Sequence, residues 1–147
     1  MALTTLQVPV EKTAHSRLAD VDFENLPFGK VNTDHMFICT YKDGSWQDPK
    51  VIPYQPISLE PSAKVFHYGQ TIFEGMKAYK DSEGGVWLFR PEENQKRLNI
   101  SAKRLAIPEV PKPVFMEGLR TLIGVDREWI PTTQGSSLYI RPFIFAS

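Results

Sequence analysis

The spacing of apolar positions changes along the chain, and the changes mark out its elements. From Asp34 to Tyr41 the side chains alternate loosely around Met36, Ile38 and Thr40, the period of a strand. Lys42-Asp43-Gly44-Ser45 has the composition of a turn, and Lys50–Tyr54 returns as a second strand with Trp46 packed on the hairpin. A short strand is expected at Ile57–Leu59, then a short helix from Pro61 to about Tyr68 with Pro61 in its first turn. Met76–Tyr79 and Val86–Phe89 read as two more strands, joined by the turn-forming run Asp81-Ser82-Glu83-Gly84-Gly85. Beyond them the period lengthens. In Pro91–Ala106, Leu98, Ala102 and Leu105 recur at i, i+4 and i+7 and predict a helix. Pro108, Pro111 and Pro113 break it, and Val114 to about Val125 predicts a second helix with Phe115, Leu119 and Leu122 inward. Gly118 permits close packing there at some loss of helix propensity. Ser137–Phe145 is almost continuously apolar and predicts a strand buried on both faces.

The first twenty residues, Met1–Asp20, are polar and lack a period, which predicts a flexible arm or a loosely docked leader. Asn25–Lys30 is a loop punctuated by Pro27 and Gly29. Residues 21–147 are therefore expected to form one α+β domain, a mostly antiparallel sheet carrying two longer helices. Ser147 follows directly on the apolar strand, where a polar tail is usual, and this predicts a truncated chain or a separately made domain.

Composition narrows the function. A chain of 147 residues with 41% hydrophobic content can form one real core. Its formal net charge is zero and it has no basic run, which excludes nucleic-acid binding by phosphate neutralisation. The single cysteine, Cys39, has no internal disulfide partner, and its apolar surroundings predict a buried structural thiol. His15, His35 and His67 are scattered, with no cysteines at ligand spacing, so no metal site is expected. The absence of a long apolar span or signal-like start predicts a cytoplasmic protein with no membrane partner.

Candidate chemistry concentrates between His67 and Pro91. His67-Tyr68-Gly69 and Phe73-Glu74-Gly75 each set polar or aromatic groups beside a permissive glycine. Arg90 lies where a strand ends and Pro91 opens a helix, a place suited to gripping a phosphate between a planar guanidinium and free backbone N–H groups. Each piece also has a plainer reading. Phe28 and Phe73 could be core, Glu74 a structural hydrogen-bond acceptor and His67 a loop orienter, while Arg97 and Arg104, seven apart on one helix face, could grip an anion but read more simply as part of a solvated or salt-bridged face. Tyr139 and Arg141, two apart in a strand, share one face.

Together the pieces are more specific. His67-Tyr68-Gly69, Phe73-Glu74-Gly75 and Phe89-Arg90-Pro91 follow Phe28-Gly29-Lys30 and Thr33-Asp34-His35-Met36 and precede Leu138-Tyr139-Ile140-Arg141-Pro142. In order and spacing this pattern resembles the class IV aminotransferases, most closely the branched-chain amino acid aminotransferases, over roughly residues 20 to 147.

The resemblance implies the small N-terminal domain of a fold-type IV enzyme that binds pyridoxal 5′-phosphate in a cleft against a larger C-terminal domain. It implies that Arg90 binds the cofactor phosphate, that Phe28, Tyr68 and Phe73 wall the substrate pocket, and that Tyr139 and Arg141 lie near the substrate carboxylate end. No lysine here matches the family's Schiff-base lysine, so no catalytic residue is assigned and that lysine is expected in a C-terminal domain outside this chain. The implied substrates are leucine, isoleucine or valine with 2-oxoglutarate, and the implied complete enzyme is a homodimer. Discrimination among the branched side chains should be weak, since one methylene is worth only about 1–3 kcal/mol. The chain alone is expected to be inactive. The alternatives are a stand-alone interaction module, a D-amino acid aminotransferase or an aminodeoxychorismate lyase. The Phe28-Gly29-Lys30 loop and the Tyr139–Pro142 run favour the branched-chain type.

Overall fold

The computed structural model describes residues 6–147. Strands β1 (His35–Lys42) and β2 (Ser45–Pro53) form a hairpin around Asp43-Gly44, both with positive φ as a tight hairpin turn requires. A five-residue helix α1 (Lys64–Tyr68) ends on a left-handed Gly69. Then come β3 (Thr71–Phe73), β4 (Met76–Lys80) and β5 (Val86–Leu88), the helices α2 (Pro91–Arg104) and α3 (Lys112–Val125), and finally β6 (Leu138–Ile140) and β7 (Phe143–Phe145). Every pairing between these strands is antiparallel, and two longer helices cover them, as the α+β reading expects. The sheet is divided into three small ones: β1-β2, β3-β7 and β5-β4-β6.

Alternation places the core. Ile72, Met76 and Ala78 point inward from β3 and β4 onto Leu98 and Ala102 of α2 and Phe115, Met116, Leu119 and Ile123 of α3. Each such large side chain stabilises the fold by about 1.5–3 kcal/mol when fully buried. The hairpin packs on α3 where Gly118 has no side chain; a Cβ there would lie 2.6 Å from the Phe37 ring. The proline-broken link between the helices is tied by Asn99, which accepts from the Val110 N–H (2.8 Å) and donates to its carbonyl (3.0 Å), while Gln95 donates to the same oxygen (2.8 Å).

Several expectations need correction. Ile57–Leu59 is not a strand, and Ile57 is exposed; Pro53 and Pro56 remove backbone donors just before it, and no strand among the described residues pairs with it. Leu105 does not complete the α2 stripe. The chain turns at Ala106 (φ 52°) and Ile107 enters the core instead. Cys39 is half-buried, its thiol donating to the Gln47 carbonyl. The run Ser137–Phe145 is two strands rather than one, half-buried rather than covered on both faces. Pro142 has no N–H, and the chain leaves the partner β4 at Ile140 to join β3 at Phe143.

Part of the expected arm, residues 1–5, lies outside the described residues; the rest is docked. Val10 bridges Val51, with Val51 N–H donating to Pro9 and Glu11 N–H to Val51, both at 2.9 Å. Further along lies a buried polar corner. The Asp34 carboxylate accepts from the Ser16 hydroxyl (2.6 Å), the Arg17 N–H (3.0 Å) and the Trp129 indole (3.2 Å). His35 accepts at Nε2 from the Thr13 N–H (2.9 Å) and donates from Nδ1 to Asp126 (2.6 Å). The stretch Thr13–Arg17 and the stretch just after α3, Asp126–Trp129, are thus both held at the start of β1. No described helix is long and apolar enough to cross a membrane.

Candidate functional site

Because Ile72, Met76 and Ala78 face the core, Phe73, Lys77 and Tyr79 of the same strands face out. The register sets partners beside them on that outer face: Tyr139 opposite Lys77, Phe143 opposite Phe73, and Trp87 opposite Tyr79. The Phe28 ring, brought in by the Asn25–Lys30 loop, meets Tyr139 edge-on at 5.3 Å between centres. The Arg141 guanidinium carbon lies 5.2 Å from the centres of both the Phe73 and Tyr139 rings, and Nη2 donates to the Tyr139 hydroxyl (3.3 Å). Cation–ring attraction of this kind is worth about 0.5–1 kcal/mol where exposed and more once water is excluded.

Four of the six sequence-derived site residues, Phe28, Phe73, Tyr139 and Arg141, therefore form one cluster. Phe28 and Phe73 are not core residues: they are 77% and 63% exposed. The cluster is an open face; two surface grooves elsewhere are lined by none of its members. Tyr68, 81% exposed at the end of α1, packs its ring toward His67 (6.4 Å) and makes no ring contact with the other three aromatics. His67 itself is tied to the Pro61 carbonyl (2.8 Å), as a loop orienter would be.

Arg90 is set apart from the cluster by its backbone. It caps the N-terminus of α2 in the left-handed region (φ 48°, ψ 51°), with Pro91 in the first turn. That conformation costs a residue with a Cβ about 1–2 kcal/mol. Its side chain is exposed, and none of the ion pairs among the described residues uses it. The helix end adds the positive end of its dipole, although Pro91 has no N–H, the Glu93 N–H already donates to the Arg90 carbonyl (3.0 Å), and Glu92 and Glu93 in the same turn oppose an anion. No metal-ligating cluster occurs among the described residues.

Beneath the cluster lies an arrangement only partly legible in the sequence. Glu74 is buried and accepts from Arg97 Nε (2.5 Å) and Nη2 (2.7 Å) and from Asn94 Nδ2 (2.9 Å). The Arg97 hydrogen bonds hold the Glu74 carboxyl below the usual carboxylate range, against its burial. Asn94 and Arg97 stand at i and i+3 on one helix face, a visible signal, but their partner lies twenty residues upstream. Phe143 was also overlooked on the outer face, although it follows Arg141 at the same two-residue spacing.

No protein-family model matches the chain. Individual relatives do. The branched-chain-amino-acid aminotransferase 2 of Bacillus subtilis (strain 168) is 49% identical over 146 residues, which is 99% of this chain and 40% of that protein. The crystal structure of the Escherichia coli branched-chain amino acid aminotransferase superposes with a TM-score of 0.52 at 28% identity, covering 71% of this chain and 31% of that one. A branched-chain amino acid aminotransferase from T.th., complexed with N-(5′-phosphopyridoxyl)-L-glutamate, gives a TM-score of 0.50 at 29% identity over 65% of this chain and 30% of that one. In sequence and fold the chain is similar to the N-terminal part of these enzymes, and it spans about two-fifths of the length of the curated relatives.

Proposed function

We propose that this chain serves as the N-terminal part of a pyridoxal 5′-phosphate-dependent branched-chain amino acid aminotransferase, and that its outer sheet face is one wall of the substrate site. The observation that carries this reading is the convergence of Phe28, Phe73 and Tyr139 with Arg141 from separate stretches of the chain. The similarity to the Bacillus subtilis enzyme over 99% of the chain supports it.

The two parts of the cluster suit the two kinds of substrate. A leucine, isoleucine or valine side chain needs an apolar wall without hydrogen-bonding demands, and the aromatic rings provide one. Glutamate and 2-oxoglutarate bring a second carboxylate, for which Arg141 is a partner able to make two parallel hydrogen bonds. Tyr68 extends the wall once the rest of the protein closes over it.

The residues present also fit an anionic cofactor. Arg90 offers an exposed guanidinium without an ion-pair partner among the described residues, at a helix N-terminus, and it would hold the phosphate. Bound there, the pyridoxal group supplies the electron sink for amino transfer; this chain supplies anchoring and orientation. The lysine that would hold the cofactor covalently is assigned to the longer protein, as are a homodimeric state and a cytoplasmic location.

The test uses the complete protein. Loaded with pyridoxal 5′-phosphate, it should form glutamate from leucine and 2-oxoglutarate, whereas residues 1–147 alone should show no turnover. A complete, cofactor-loaded protein that leaves leucine untouched overturns the reading.

A further inference from the structure

We propose that Glu74 and Arg97 are positioning residues for this site: their ion pair holds the Phe73 ring and the Arg141 guanidinium in register. The proposal rests on the reading of the outer face as a substrate wall.

Phe73 and Glu74 are consecutive and diverge at the end of β3. The Phe73 ring goes to the outer face and the Glu74 carboxylate goes inward, to 3% side-chain exposure. There it meets Arg97 through two hydrogen bonds and Asn94 through a third. Asn94 also donates to the Gly75 carbonyl (3.2 Å). The bend Phe73-Glu74-Gly75 is thereby fastened to the 14-residue helix α2.

The main chain of Glu74 makes the second connection. Its N–H donates to the Pro142 carbonyl (2.8 Å), the residue next to Arg141, just where the chain passes from β6 to β7. One residue thus links α2, through its side chain, to the bend that carries Arg141, through its backbone. Phe73 and Arg141 stand on either side of that link, 5.2 Å from ring centre to guanidinium carbon.

A fold needing only stability at this point would do as well with an apolar side chain. The Glu74 carboxylate loses its hydration while the Arg97 side chain stays 67% exposed, and a well-packed hydrophobic residue in place of a buried charged group is often equally stable. What the bidentate pair adds is direction, since a guanidinium and a carboxylate meeting through two bonds fix both separation and orientation. Neither residue belongs to the outer cluster, so the pair acts on substrate only through Phe73, Arg141 and Tyr139.

The experiment compares Glu74→Gln and the milder Arg97→Lys in the complete, cofactor-loaded protein and follows Arg141 by NMR. KM for leucine and for glutamate should rise about tenfold, with kcat changing less than about threefold and cofactor retention unchanged. In the same variants the Arg141 side-chain N–H signal, displaced by the Phe73 and Tyr139 rings, should move toward its free position while the Trp129 indole signal stays in place. An unchanged KM together with an unchanged Arg141 signal overturns the proposal. So does a fall in kcat alone, which would put Glu74 in the chemistry. If the protein does not transaminate leucine at all, the functional reading fails, and the Arg141 signal still decides whether the pair governs that face. Should Glu74→Gln fail to fold, Arg97→Lys decides, because it keeps the cation and removes only the two-bond geometry.

Discussion

Gly75 and Tyr139 meet with no room for a side chain between them: a Cβ on Gly75 would lie 2.6 Å from the Tyr139 hydroxyl and 3.2 Å from two ring carbons. The glycine lets the hydroxyl reach its place beside Arg141. Gly75→Ala should therefore displace the Tyr139 ring and break its hydrogen bond with Arg141. The obstructing atoms are the free end of a half-buried ring, so the stability loss should stay near the low end of overpacking, about 1 kcal/mol. Urea unfolding should show that small change, while KM for leucine in the complete protein rises severalfold.

Arg90 separates stability from binding. Its left-handed backbone is the conformation glycine adopts freely. Arg90→Gly should leave the fold unchanged or stabilise it by up to about 1 kcal/mol, after allowing for the greater freedom of glycine in the unfolded chain. The same variant should lose pyridoxal 5′-phosphate on dialysis far faster than the parent. A melting temperature that falls with cofactor retention intact would give the guanidinium a structural role instead.

Removing the Asp34 carboxylate should be among the more damaging single changes. Four donors converge on it, from the Ser16 hydroxyl, the Arg17 main chain and side chain, and the Trp129 indole. Trp129 is buried, so Asp34→Ala leaves its N–H without a partner. The expected loss is about 2–4 kcal/mol, read from denaturant unfolding, with a changed Trp129 emission and increased proteolysis near Arg17.

Acid should loosen the same two places. Burial alone would raise the Asp34 carboxyl, but hydrogen bonds from Ser16, Arg17 and Trp129 bring it below its ordinary value. Glu74 is lowered by Arg97. A group whose folded pKa is depressed stabilises fully above its unfolded value and loses that contribution as pH falls through the folded one. Stability from these carboxylates should therefore be flat from neutrality to about pH 5 and decline below about pH 4. Urea midpoints across that range check it, and Asp34→Asn and Glu74→Gln should each make the decline shallower.

How much of this was legible depends on whether a signal was local. The helices α2 and α3 were plain because their apolar spacing repeats over several turns and Pro91 marks a start. The first hairpin was plain from its turn residues, although β2 begins earlier than expected, at Ser45. Strand β3 was missed because three residues carry too little alternation to register, and its existence depends on β7, some seventy residues away. The split of the last apolar run at Arg141-Pro142 was hidden for the same reason, since only the partners reveal that the two halves join different sheets. At the site, the shared face of Tyr139 and Arg141 followed from their spacing, while Phe28 entered only by resemblance. The Glu74–Arg97 pairing is invisible to periodicity: the sequence allows Glu74 as a structural hydrogen-bond acceptor and Arg97 on a solvated or salt-bridged helix face, but only the meeting of strand and helix makes them partners.

The corner at Asp34 and His35 also sets an order of events. Its partners Asp126 and Trp129 lie 91 and 95 residues further along the chain. At a ribosomal pace they emerge roughly five to twenty seconds after Asp34. The first hairpin can close early on local contacts, but the corner stays hydrated and the β3 edge unpaired until nearly all of the chain is available. Non-local closure of this kind slows folding. Pulsed hydrogen exchange should find the His35 and Ile72 amides protected together and late, after β1-β2 and α2, with the open β3 edge as the segment most in need of a chaperone in the interval.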